Sequence, residues 1–134
     1  NDVGMFIPGR LEHWFSCHGE QLPGWEEVRM FHHEPARYRH SMKERHPSCI
    51  AWPVPTIGTS SLAAVYVALC LGYDRVVLCG APLDDAGHFF DPPWVRTNFT
   101  NEARHDVWAE ANRKIFDGKV KSMSGFSRDI LGAP

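Results

Sequence analysis

Residues 58–80 read GTSSLAAVYVALCLGYDRVVLCG. The hydroxyl-rich start, the almost wholly apolar run 62–71 and the glycine at position 72 are typical of a helix with an N-terminal cap and a C-terminal glycine. The short β-branched run 75–80 is typical of a strand buried on both faces in a parallel sheet. Because the helix is apolar nearly all round, it must be covered on more than one side. This segment predicts a helix–turn–strand unit of an α/β protein.

The alternation of strands and helices extends in both directions from this unit. The sequence predicts further strands at 13–17, 48–52 and 120–124, and helices at 23–31, from Thr100 or Asn101 to Phe116, and at 127–131. Such alternation indicates a doubly wound parallel sheet. We therefore predict a single α/β domain over residues 1–134, Rossmann-like, with a mostly parallel sheet of about four strands and flanking helices. Since the chain begins at Asn1 without a methionine, we also expect that an N-terminal strand precedes it.

Length and composition define the broad class of protein. The chain has 134 residues, is 43% hydrophobic and carries 14 basic and 16 acidic side chains, a net charge of −2. A domain of this size can bury a hydrophobic core without support from disulfides or bound metals. The near-neutral net charge disfavours a dedicated nucleic-acid module. No apolar run reaches the roughly 18 residues of a membrane span. The four cysteines lack CxxC spacing, which favours a reducing, cytoplasmic setting.

Candidate binding residues follow from the predicted sheet, since ligands of open parallel sheets lie beyond the carboxyl ends of the strands. At that edge, free helix N–H groups and the hydroxyls of Thr59, Ser60 and Ser61 suit a phosphate. Ordinary helix capping explains the same hydroxyls and is the more frequent reason for them. Gly80 and Asp84 lie at this edge too, because they follow the predicted strand.

The long loop 81–98 is a candidate functional lid. It places His88 among the carboxylates of Asp84, Asp85 and Asp91, which suits a general base, a metal site or a ligand-orienting loop. A solvated acidic turn explains these residues equally well. No two of the eight histidines are four residues apart, the helical spacing of a metal-binding pair, so the sequence predicts no metal site.

The segment 29–46 concentrates histidines, arginines and a lysine, with a local excess of three positive charges. Such a segment is usually a solvated face of a protein. The alternative is a patch that binds nucleic acid or polyphosphate. Of the functions considered, nucleic-acid binding is the least favoured.

Three stretches together resemble the bacterial CMP-sialic-acid-dependent sialyltransferases and related phage and prophage proteins. They are TIGTSSL at 56–62, the turn LGYD at 71–74 and the strand VVLCGAPL at 76–83. In that family a Thr-Ser-Gly turn opens an apolar helix, an Ala-Leu-Gly-Tyr-Lys turn follows it, and the next strand ends in Ser-Gly-Ile-Asp. A Phe-Asp pair then ends the following loop, as residues 90 and 91 do here.

The resemblance implies a Rossmann-like site for a nucleotide-activated sugar of the CMP type, with no further cofactor required. It assigns nucleotide contacts, by motif position, to Asn1, Thr59, Ser60, Ser61 and Gly80. Asp84 lies near the place of the phosphate-binding tyrosines of the family. His88 and His105 are the available bases for deprotonating an acceptor.

The chain also departs from the family pattern. Pro82 stands in place of the Asp of Gly-Ile-Asp, and the phosphate-binding tyrosines after that strand are absent. A non-catalytic Rossmann-like binding or structural module is therefore the alternative to a glycosyltransferase. The apolar helix at 62–71 needs more cover than a short chain readily supplies, and a homodimer would supply it.

Overall fold

The computed structural model of the chain describes residues 2–42, 46–53, 59–86, 91–96 and 102–134. The chain divides into two compact units, Asn1–Thr56 and Ile57–Pro134. Each unit combines helices with a small parallel sheet, which confirms the prediction of a mixed α/β protein with parallel strands. The described strands form one sheet of three strands and one of two, where the sequence predicted one sheet of about four.

The first unit is built around a three-stranded parallel sheet. Its elements are a 3₁₀-helix at Asp2–Met5, β1 at His13–Ser16, a 3₁₀-helix at Gly19–Gln21, α1 at Leu22–Met30, β2 at Tyr38–Met42 and β3 at Ile50–Trp52. The strand order is β1-β2-β3, with His13 opposite Tyr38 and His40 opposite Ile50. Helix α1 is the crossover that joins the parallel strands β1 and β2.

Arg29 is the buried centre of the first unit. This residue of α1 is fully buried. Its guanidinium donates hydrogen bonds to the carbonyls of Gly4, Ile7 and Glu34, each at 2.7 Å, and to the carbonyl of Gly9. The planar fork of five donors on an arginine suits several acceptors at once. One side chain thus ties α1 to the N-terminal segment and to the turn that follows the helix.

The second unit contains the predicted helix–turn–strand segment. Its elements are α2 at Ser60–Cys70, β4 at Val76–Leu78, α3 at Glu102–Ala111, a π-helix at Asn112–Phe116, β5 at Val120–Ser122 and α4 at Gly125–Leu131. Strands β4 and β5 are parallel, with Val76 opposite Val120 and Leu78 opposite Ser122. The predicted helix–turn–strand unit is confirmed as α2 and β4.

Both ends of α2 have the predicted caps. At the N-terminus, the backbone N–H of Leu62 donates to the Thr59 hydroxyl at 3.2 Å. At the C-terminus, Gly72 has a φ of +92° and Tyr73 N–H donates to the Ala68 carbonyl at 3.1 Å, which is a Schellman arrangement. A glycine adopts this left-handed conformation without a Cβ penalty.

The core of the second unit lies between α2, the sheet and α3. It consists of the buried side chains of Leu62, Val65, Leu78, Leu83, Trp108, Ala111, Phe116, Val120 and Leu131. In the sequence, Ala103, Val107, Ala111 and Ile115 form an apolar stripe at a spacing of four, which a regular helix would keep on one face. The helix widens into a π-helix over Asn112–Phe116, which buries Phe116 completely and leaves Ile115 48% exposed.

Candidate functional site

The loops that follow β4 and β5 lie in direct contact at the carboxyl edge of the two-stranded sheet. Gly125, just after β5, has a φ of +64°, and a Cβ built there would lie 2.4 Å from the Cβ of Pro82. A glycine is therefore required at position 125 for both backbone conformation and space. Gly80, just after β4, also has a positive φ, of +72°, and is exposed. The predicted strand-end residue thus lies at the edge where a ligand is expected.

Buried serines hold this edge together. The Ser127 hydroxyl donates to the Ala81 carbonyl at 2.7 Å and lies 2.8 Å from the Ser122 hydroxyl. Both serines are fully buried. The sequence does not single out these two serines, although the three serines at 122, 124 and 127, at and just after the predicted strand end, were the available signal.

His105 joins the two strand-end loops. Its Nε2 lies 3.0 Å from the Leu83 carbonyl, and its ring stacks on Phe126 with centroids 3.6 Å apart and an angle of 17° between the planes. A carbonyl only accepts, so the hydrogen bond places a proton on Nε2. In the neutral imidazole, Nδ1 then carries the lone pair. His105, one of the two predicted bases, therefore lies at the carboxyl edge of β4 and β5. Its Nδ1 is the nitrogen that can accept a proton.

Asp84 shapes the start of the long loop. Its Oδ1 accepts a hydrogen bond from the backbone N–H of Ala86 at 3.1 Å, which forms an Asx turn. Ala86 in turn pairs with Arg96 in an antiparallel bridge. The residue before the turn, Leu83, is buried with a φ of +60°, a conformation that is rare for a side chain of this size. Asp84 therefore sits on a constrained backbone two residues before the bridge.

The other predicted binding residues have different surroundings. The hydrogen bonds of Thr59 to described residues stay within the first turn of α2, since its hydroxyl accepts from Leu62 and lies 2.8 Å from the Ser61 hydroxyl. Capping is thus the observed role of Thr59, while Ser60 begins the helix with its hydroxyl outside that pair. Asn1 and His88 lie outside the described residues.

A second polar cluster lies in the first unit, across its three strands. Trp52 N–H donates to His40 Nδ1 at 3.0 Å, and His40 Nε2 lies 2.9 Å from His13 Nδ1. Because an indole N–H only donates, neutral His40 carries its proton on Nε2 and donates it to His13. His40 is buried, and burial, followed by the charge of His13, lowers its pKa. The cluster therefore requires a neutral His40.

The stability of the first unit is expected to fall as the pH drops below 6.5. The lowered pKa means that unfolded chain takes up a proton in this range before the folded chain does, so acid favours unfolding. For one proton the slope reaches at most about 1.4 kcal/mol per pH unit. Urea unfolding at pH values from 7.5 to 5.0 measures how the free energy of unfolding changes with pH.

Substitution variants separate this effect from that of the carboxylates. His40→Gln should flatten the pH dependence, and His32→Gln, at an exposed histidine, should leave it unchanged. Trp52→Phe keeps His40 but removes the donor that opposes protonation of Nδ1, and should also flatten it. An identical slope in all four proteins would contradict the role of His40.

The arginines of the basic segment are largely used within the fold. Arg29 is buried, Arg39 pairs with the buried carboxylate of Glu26, and Arg37 pairs with Glu12 at 2.9 Å. These three cations therefore do not form a free basic surface. Lys43 and Arg45, the other two cations of the segment, lie outside the described residues.

Comparisons with known proteins give no indication of the function of this chain. No protein-family model matches the chain, and no curated protein or solved structure matches it either. Within the ranges that the structure describes, no helix combines the length and apolar character needed to cross a membrane. No three His, Cys, Asp or Glu side chains of these ranges come together as ligands for a metal ion.

Proposed function

We propose that the chain binds a nucleotide-activated sugar, of the CMP type, and transfers the sugar to an acceptor hydroxyl. The observation that carries the proposal is the fixed imidazole of His105 at the carboxyl edge of β4 and β5. Enzymes with open parallel sheets bind nucleotides at this edge. The sequence resemblance to sialyltransferases supplies the reaction, and a Rossmann-like arrangement of the strands is part of the same proposal.

His105 is the general base in this proposal. Its Nε2 is engaged by the Leu83 carbonyl, so Nδ1 takes the proton of the acceptor hydroxyl. The hydroxyl oxygen then bonds to the anomeric carbon of the sugar, and the bond from that carbon to the phosphate oxygen breaks. The electron pair leaves with the nucleotide, and helix N–H groups offset the charge on its phosphate.

The donor phosphate lies, in this proposal, at the N-terminus of α2. The hydroxyl of Thr59 is used by the cap, so the phosphate contacts fall to the Ser60 hydroxyl and the first backbone N–H groups of the helix. Gly80 lines the floor of the site, where the missing side chain allows close approach. Asp84 follows it and orients the loop against the donor.

The alternative is a non-catalytic binding or structural module of the same architecture. The capping role of Thr59 favours it, because a helix cap needs no ligand. The module would keep the nucleotide site or lose it, and would not turn over a donor. The absence of the tyrosines found in sialyltransferases after β4 points in the same direction.

Titration with CMP, UDP and GDP sugars, together with a donor hydrolysis assay, tests the proposal on the whole chain. Ser60→Ala should weaken donor binding about tenfold, because a hydrogen bond to a charged group contributes about 1.5–3 kcal/mol. Thr59→Ala is the comparison: it should lower the free energy of unfolding by about 1 kcal/mol through loss of the cap.

The outcomes distinguish the two candidate functions. Binding that depends on Ser60 together with donor hydrolysis supports the transferase. Binding without hydrolysis supports the non-catalytic module. No binding of any of the donors at millimolar concentration would rule out the transferase.

A further inference from the structure

Two adjoining grooves lie at the amino ends of β4 and β5, the edge opposite to the site proposed above. One groove, of about 310 Å³, is lined by Tyr66, Leu69, Tyr73 and Ile115. The other, of about 500 Å³, is lined by Arg75 and Lys121 among others. Asp74 and Lys119 line both grooves, so the two grooves adjoin. The volume of each groove falls in the range of roughly 300–1,000 Å³ that small-molecule sites occupy.

The first groove suits a flat, partly apolar group. Tyr73 and Ile115 are each about half exposed, at 47% and 48%, so apolar surface is available in the groove. The π-helix is what turns Ile115 outward onto its wall. Burial, followed by the charge of Glu110, raises the pKa of Tyr66, so its phenol stays protonated and can donate a hydrogen bond. Aromatic side chains of this kind stack on nucleobases.

The second groove is lined by three cations, Arg75, Lys119 and Lys121, and by two carboxylates, Asp74 and Asp117, and this excess of one positive charge suits an anion. Within the described part of the chain, the charged groups of Arg75 and Lys119 form no ion pair, and Lys121 Nζ donates to the Leu131 carbonyl at 3.1 Å. Asp74 lies where the two grooves meet. Its carboxylate only accepts hydrogen bonds and therefore suits hydroxyl groups.

We propose that this amino-edge groove binds a nucleoside monophosphate. The tyrosines line one groove, Arg75 and Lys121 line the other, and Asp74 lines both, which suits a base in the first groove, a phosphate in the second and a ribose between them. The base lies against Tyr73, the ribose hydroxyls donate to Asp74, and Lys119 and Arg75 contact the phosphate. This site shares no residue with the proposed transfer site, so the two proposals can be tested independently of each other.

Titration of the whole chain with AMP, CMP, GMP and UMP, followed by calorimetry or by shifts of amide resonances, tests the proposal. Lys119→Ala should weaken binding about tenfold, because the phosphate loses a charged donor. Tyr73→Ala should weaken it about fivefold through loss of stacking. Lys114→Ala is the control, since Lys114 lies in the π-helix, pairs with Glu110 and does not line the groove.

The matching nucleoside and inorganic phosphate alone should each bind at least about tenfold more weakly than the nucleotide. The proposal is overturned if Lys119→Ala, an exposed change that leaves the fold intact, binds as the unaltered chain does. It is also overturned if the nucleoside binds as tightly as the nucleotide, or if an oligonucleotide binds and no mononucleotide does. Binding that responds to Ser60→Ala and not to Lys119→Ala would overturn this site and leave the transfer site supported.

Discussion

Replacing Arg29 with Met is expected to destabilise the first unit by about 3–5 kcal/mol. The guanidinium is fully buried and donates to four backbone carbonyls, three in the N-terminal segment and one in the turn after α1. Hydrogen bonds to a charged group contribute about 1.5–3 kcal/mol each, and water can replace only those whose acceptors reach the surface. A loss of this size is a large part of the roughly 5–15 kcal/mol that stabilises a typical domain.

Chemical denaturation gives the free energy of unfolding, and hydrogen exchange at the amides of β1 to β3 assigns the loss to the first unit. Arg29→Lys should not restore stability, because one ammonium group cannot reach acceptors in four directions. Arg37→Ala is the matched control: that arginine is exposed and pairs with Glu12, so its loss should cost about 1 kcal/mol or less. Equal losses for Arg29→Met and Arg37→Ala would refute the role of Arg29.

The elements that could be predicted from the sequence are those with local signals. Helix α2 has a hydroxyl cap, a long apolar run and a terminal glycine, and each of these acts within a few residues of the chain. The short apolar run of β4 was an equally clear local signal. Such signals do not depend on how distant parts of the chain pack, so they predict these elements without knowledge of the tertiary structure.

The elements that the sequence analysis missed depend on distant partners. Strand β2 lies inside the basic segment, and its burial comes from pairing on both sides with β1 and β3. Arg29 looks like a surface charge in the sequence because three of its four acceptors, Gly4, Ile7 and Gly9, lie 20 to 25 residues away. The π-helix moved the buried position from Ile115 to Phe116, and a regular helical period cannot anticipate an inserted residue.

The sequence indicated where in the fold the candidate site lies, but it did not indicate all the contacts that orient the side chains of the site. The rule that ligands lie at the carboxyl ends of parallel strands pointed to Gly80 and Asp84, whereas His105 was named from the resemblance to the sialyltransferases. The contacts that orient His105, from Leu83 and Phe126, could not be read from the sequence, because they join loops that are about twenty residues away on either side of it.

Replacing His105 with Gln is expected to lower the turnover of a nucleotide-sugar donor by about 100- to 10,000-fold, the usual contribution of a general base. The side-chain amide of glutamine can still donate to the Leu83 carbonyl from the position of Nε2. It offers no basic nitrogen in place of Nδ1. The variant therefore separates loss of the base from loss of the contact that holds it.

Donor affinity and the free energy of unfolding should change little in His105→Gln, so that the loss appears in kcat and not in KM. Single-turnover kinetics over a range of donor concentrations measure both values. His32→Gln serves as the control, because it removes an exposed histidine of the other unit. Full turnover in His105→Gln would exclude His105 as the base.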